Sequence, residues 1–204
     1  MRSTNNLLKK PNLEDNTVNI ILFGPPGAGK GTQARYLVKI LNNFQVSTGD
    51  MLRDEIKKDT EIGKKIISYM NEGKFVDDEI VNDLMKKVVF ESSKKGKLIF
   101  DGYPRTIQQA KNLDFLLKES KQQIDFIFFL NVKKETIVKR IEKRKDEEKR
   151  GDDDLDTILK RYDTYLKTTS PVLDYYSSKQ NFYKLDGNLE IDQINKQIKG
   201  FLKL

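Results

Sequence analysis

Apolar residues in this 204-residue chain gather in two kinds of block, and the regular alternation of the two predicts the architecture. Short runs rich in β-branched and aromatic residues read as strands: 18–23, 44–47, 97–100, 125–132 and 181–185. Between them the apolar positions fall at helical spacing. A helix begins near Lys30, Ile80, Leu84 and Val88 share one face, 106–117 is helical, and Ile191, Ile194, Ile198 and Leu202 form a last stripe. Strand and helix in strict alternation imply an α/β fold, a five-stranded parallel sheet covered by helices on both faces in three layers. Ligands of such sheets collect at the carboxyl ends of the strands.

Two stretches break the alternation. Between Ser47 and Val76 lie two helical patterns, 51–58 and 63–71, with no strand between them, which reads as an insertion on the ligand side. From Arg144 to Asp153 the chain is wholly polar and predicts a surface loop or flap. The length suits one core with small insertions rather than two.

Composition narrows the function. Hydrophobic residues make up 37% and charged residues 34%, with no apolar run near the ~20 residues of a spanning helix, so a membrane partner is not expected. With no cysteine there is neither a disulfide framework nor a thiolate metal site, and with no histidine any proton transfer falls to other groups. A net charge of +7 suits an anionic partner, yet the basic residues are interleaved with acids and no aromatic and basic alternation builds a base-stacking groove. A nucleotide fits this charge better than nucleic acid. The first sixteen residues lack the apolar core of a secretory signal and read as a flexible extension. A cytoplasmic location is expected, with Arg2, Lys9 and Lys10 ahead of Glu14 leaving a mitochondrial reading open.

The candidate chemistry begins directly after the first strand. Gly24-Pro25-Pro26-Gly27-Ala28-Gly29-Lys30-Gly31-Thr32 cannot continue a strand, but it can fold a concave loop whose backbone N–H groups face an anion, with Lys30 where loop meets helix. The general phosphate-loop pattern asks for Ser or Thr after the lysine. Here that position is Gly31, and the first hydroxyl comes at Thr32. A second segment, Ser47-Thr48-Gly49-Asp50-Met51-Leu52-Arg53, reads as strand end, turn and helix start. In a third, Asp101-Gly102-Tyr103-Pro104-Arg105-Thr106, a carboxylate at the tip of a buried strand is placed to order magnesium, directly or through water. Arg140, Arg144, Arg150 and Arg161 surround the polar flap and can form bidentate contacts with phosphate. After a glycine, Lys74-Phe75-Val76 offers extended backbone to a base or ribose.

Taken together, Gly24 to Thr32, Ser47 to Arg53, Asp101 to Thr106 with Gln109, and Arg140 to Asp153 followed by Arg161 resemble the nucleoside monophosphate kinases, adenylate kinases in particular, over residues 17–204. That family carries glycine after the loop lysine. The resemblance implies a P-loop kinase domain with an acceptor-binding insertion at 47–76 and a short lid at 143–153. It implies reversible transfer of a phosphoryl group from MgATP to AMP, giving two ADP, by a monomer whose partners are these nucleotides. By the same resemblance Gly27, Ala28, Gly29, Lys30, Gly31 and Thr32 hold the donor phosphates, Arg140 stacks on the donor base, and Leu189 lies near it through backbone. Thr48, Arg53, Lys74, Phe75, Val76, Gly102, Tyr103, Pro104, Arg105 and Gln109 form the acceptor site. Arg105, Arg144, Arg150 and Arg161 close on the moving phosphoryl group, and Asp101 orders Mg2+ through water.

By the resemblance, Thr48 paired with Gln109 is the adenylate kinase pattern and implies AMP over the UMP or CMP of pyrimidine kinases. Intact Lys30, Asp101 and arginines argue for an enzyme over a degenerate nucleotide-binding module. By the same resemblance the short flap is that of members without a zinc-carrying lid, and no zinc is expected. In it the family's small residues give way to Lys145 and Lys149 around Asp146, Glu147 and Glu148, which predicts altered lid kinetics.

Overall fold

The computed structural model describes residues 18–92, 97–148, 155–179 and 181–204, with backbone alone at 92 and 144–148. Its strands are β1 (Ile20–Phe23), β2 (Phe44–Ser47), β3 (Leu98–Asp101), β4 (Phe126–Asn131) and β5 (Phe182–Asp186). All pair in parallel, in the order β2-β3-β1-β4-β5. Each expected strand lies within a residue or two of its sequence block. All four residues of β1 are buried, as the centre of a doubly covered sheet requires.

Alternate strand residues feed two separate cores. Ile21, Phe23, Val46, Phe100 and Ile127 pack on one face beneath α2 (Thr48–Lys57), α3 (Glu61–Asn71), α4 (Asp78–Ser92), α5 (Ile107–Glu119) and α8 (Ser170–Ser177). Ile20, Leu22, Ile99, Phe128 and Leu130 pack on the other, beneath α1 (Lys30–Leu41), α6 (Lys134–Glu148), α7 (Leu155–Thr164) and α9 (Ile191–Leu202). At about 1.5–3 kcal/mol for each large apolar side chain taken from water, these two cores hold the three layers together. Among the described residues no helix is long and apolar enough to cross a membrane.

Local chemistry sets the helix starts. Ser47, Thr60 and Thr106 each accept a backbone N–H of the first turn, at 3.3, 2.9 and 3.1 Å. Glu190 and Gln193 form a reciprocal capping box on α9.

Three expectations are corrected. The stripe Ile80, Leu84, Val88 is only half-buried; the core takes Val81, Met85 and Val89, because the apolar band of α4 is two residues wide and its centre falls on the second file. Ile191, expected on the buried stripe of α9, is exposed at the helix's first position, while Ile194, Ile198 and Leu202 are buried. The polar stretch from Arg144 is not loop at its start: α6 runs on to Glu148, since Lys, Arg and Glu are good helix formers without needing an apolar face. The rest of that flap, 149–153, and the N-terminal extension 1–16 lie outside the described residues.

Between α7 and α8 the helix widens into one π-helical stretch, Tyr165–Thr169.

Candidate active site

At the carboxyl ends of β1 and β3 the chain opens into a cleft. Its wall holds Gly24 and Lys30 from the phosphate loop, Arg53 from α2, Lys74, Phe75 and Val76 from the insertion, Gly102, Pro104 and Arg105 after β3, and Arg161 from α7. Residues scattered over 138 positions of sequence are thus brought to one cavity.

The phosphate loop is built to receive an anion. Gly29 begins α1 at φ 92°, ψ 13°, a left-handed conformation that side chains resist. The Lys30 ammonium donates to the carbonyls of Gly24 at 2.8 Å and Pro25 at 3.0 Å, folding back over its own loop. Arg140 ties the loop's outer side to the turn before α9, donating to the carbonyls of Ala28 at 3.3 Å and Leu189 at 3.1 Å. Thr32 lies on the first turn of α1, its hydroxyl accepting from Arg35 at 3.4 Å.

Gly31 has a packing reason. A Cβ there would stand 3.3 Å from Oδ2 of Asp101, on the neighbouring strand end. Asp101 pairs in register with Leu22 of β1 and Ser47 of β2, which brings its carboxylate against the loop's helix. Burial pushes its pKa up, while the charges of Lys30 and then Arg105 oppose that rise. No cluster of three or more acidic side chains among the described residues could cage a metal directly. A single carboxylate facing a side-chain-free glycine does fit a magnesium ion held through water.

Elsewhere on the cleft wall, cations converge. Burial and the charge of Arg161 lower the pKa of Arg105 to about 10, with Asp101 pulling the other way and Arg53 adding to the repulsion. Three guanidiniums crowded at neutral pH are relieved by an anion between them. Arg105 is anchored through Nε to the Gly102 carbonyl at 2.7 Å, and its guanidinium lies 4.9 Å from the Phe75 ring centre. The Thr48 hydroxyl donates to the same carbonyl at 2.8 Å and lies 3.4 Å from Arg105 Nη2. Arg53 pairs with Asp50, Arg161 donates to the Met70 carbonyl at 3.3 Å, and Lys74 pairs with Glu72 at 2.6 Å. Val76 is buried beside them.

Two expected residues stand behind the wall. Gln109 is buried, its Oε1 accepting from the Arg105 N–H at 2.7 Å and its Nε2 donating to Asp78 at 2.6 Å. Tyr103 is also buried, its hydroxyl donating to Asn82 at 2.9 Å. The side chain of Arg144 and all of Arg150 lie outside the described residues.

Sequence reading missed several participants. Asp78 fixes Gln109, Gln45 donates to Asp101, and Thr169 donates to the Arg105 carbonyl at 3.1 Å. Tyr165 and Thr169 line the cleft with Arg161. Their four-residue steps from Arg161 were a readable signal; the other two carried none.

A phosphate loop after the central strand and an arginine-lined cleft beneath an inserted helix pair are the architecture of a P-loop kinase domain. The profile of the family described as adenylate kinase matches residues 22–181. Among similar proteins, adenylate kinase of Pelagibacter ubique (strain HTCC1062) is 45% identical, covering 92% of this chain and all of its own length. That of Mycoplasma capricolum is 40% identical at the same coverages, and that of Archaeoglobus fulgidus 37% identical over 91% of this chain and 98% of its own. This chain belongs to the adenylate kinase family and is a nucleoside monophosphate kinase. Ninety-two per cent of it is about 188 residues against 213 aligned positions, so the Pelagibacter relative carries about 25 positions that this chain lacks.

Proposed function

We propose that the protein moves the terminal phosphoryl group of MgATP to AMP and back, giving two ADP, as a cytoplasmic monomer. The observation that carries this is the pairing, in one cleft of one chain, of a phosphate loop with an acceptor side rich in arginine. In such a transfer there is little covalent work for the protein, so positioning, charge neutralisation and exclusion of water supply the rate. The loop from Gly27 to Thr32 holds the donor phosphates, and Lys30 leaves the loop carbonyls to follow charge onto the moving group. Arg140, tied to Ala28 and Leu189, borders the donor base. Arg53 and Arg105 clamp the acceptor phosphate, while Thr48, the backbone of Lys74 to Val76, Gly102, Tyr103, Pro104 and Gln109 shape the acceptor pocket. Arg144 and Arg150, from a short lid at 143–153, and Arg161, from α7, close on the phosphoryl group. Magnesium neutralises donor charge when bound, and Asp101 would hold its water shell.

The test is a coupled assay of ADP, UDP and CDP formation from ATP or GTP with each monophosphate. AMP with ATP should be the preferred pair, and Lys30→Met should lower kcat by about three orders of magnitude. Preference for UMP or CMP would reassign the acceptor; no transfer to any acceptor would sink the reading.

A further inference from the structure

Gln45, the second residue of β2, has no part in the roles above, yet its Nε2 donates to Oδ2 of Asp101 at 3.1 Å. The same oxygen faces Gly31, where a Cβ would come within 3.3 Å. Oδ2 is bracketed by an amide on one side and a bare helix turn on the other. The remaining electrostatic support for this carboxylate comes first from Lys30 and then from Arg105.

Those two cations and the amide differ in what a nucleotide does to them. Phosphate oxygens compete for Lys30 and Arg105, because each is a cation in a cleft built for polyanions. The amide of Gln45 carries no charge to be drawn away, and its N–H stays with Asp101 when phosphates arrive. A carboxylate that orders water around a metal works through the direction of its lone pairs, so a partner that fixes its plane sets how well the shell is held.

We propose that Gln45 is a positioning residue that fixes the plane of the Asp101 carboxylate for the hydrated divalent cation of the donor nucleotide. This rests on the role given to Asp101 under Proposed function. Gln45 acts through Asp101 and touches neither nucleotide nor metal in this scheme.

Gln45→Met keeps a similar volume and removes the donor, and Asp101→Asn serves as the reference. Calorimetric titration with a non-hydrolysable ATP analogue, once in EDTA and once in saturating Mg2+, separates the metal-dependent part of affinity from the rest. Gln45→Met should leave the metal-free Kd within about twofold of wild type and weaken the Mg2+-loaded Kd about tenfold, the scale of losing a partner one layer behind a metal site. Equal weakening of both Kd values marks a merely structural role and overturns the proposal, as does no change in either. If Asp101→Asn itself loses no metal-dependent affinity, the role assigned to Asp101 fails; if it does and Gln45→Met does not, only the present inference fails.

Discussion

Asp78→Ala tests whether the acceptor pocket is held from behind. The Asp78 carboxylate, at the start of α4, accepts from Gln109 Nε2 at 2.6 Å and from the Thr106 hydroxyl at 2.6 Å, so it pins both the cap and the first turn of α5. Truncation removes both acceptors at once. A buried donor left without a partner costs about 1–3 kcal/mol, more where the lost acceptor was charged. Gln109 is 2% exposed and counts in full, whereas Thr106 is half-buried and can turn toward water. Together these give a loss of about 3 kcal/mol. In a chain of this size each 1 kcal/mol moves Tm by about 2–4 °C, so Tm should fall by about 6–12 °C. A kinetic signature should accompany it. The Gln109 amide would keep only the Arg105 N–H at 2.7 Å to orient it, so KM for the acceptor rises while KM for the donor stays near wild type. Thermal melting and steady-state kinetics with each substrate varied in turn decide the matter. A Tm drop below about 2 °C with an unchanged acceptor KM would show that the two donors find other acceptors, and the pinning argument would be wrong.

Three further outcomes follow from the same structure. Gly29→Ala has open space for its methyl group yet should destabilise by about 1–2 kcal/mol in chemical denaturation, because φ 92° is the whole cost; a neutral result would contradict the backbone argument. Arg140→Ala, which cuts the tie between Ala28 and Leu189, should raise donor KM and spare acceptor KM, and the reverse pattern would move Arg140 to the other substrate. Asp125 has its pKa raised chiefly by burial, so its folded state favours the neutral acid; that contribution is complete below the unfolded pKa and is lost as pH rises through the folded value. Asp125→Asn should therefore melt higher than wild type at pH 7, with the gap closing as the pH is lowered through the carboxylate range; a gap that does not close excludes the titration as its cause.

How far the sequence could be read depended on the range of the interactions involved. Strand blocks such as 18–23 and 44–47 announce themselves because burial on both faces demands a continuous apolar run, and the loop after β1 because its glycines and lysine are local. Arg53, Arg105 and Arg161 could be named from their motifs, but their convergence in one cleft arises from the sheet order, which no local pattern states. Asp78 and Gln45 stayed hidden for a different reason. Gln45 acts through one side-chain hydrogen bond and Asp78 through two, all to residues of another segment, and an Asp in a first helical turn or a Gln on an edge strand has an ordinary local explanation. The extended end of α6 was misread because absence of an apolar face was taken for absence of a helix. Lys, Arg and Glu sustain helix through backbone propensity without one.

Arg161 joins two parts of the molecule that are distant in sequence. Its guanidinium donates to the Met70 carbonyl at the end of α3, and close by Gly73 packs so tightly that a Cβ would stand 2.9 Å from the Thr157 carbonyl of α7. The inserted helix pair and α7 are thus fastened together. On the role proposed for Arg161, a nucleotide that draws it toward a phosphate would loosen that fastening and change the free energy of filling the other half of the cleft. By linkage the effect is equal in both directions. Coupling between the two substrates through this fastening would need no third site and no second subunit.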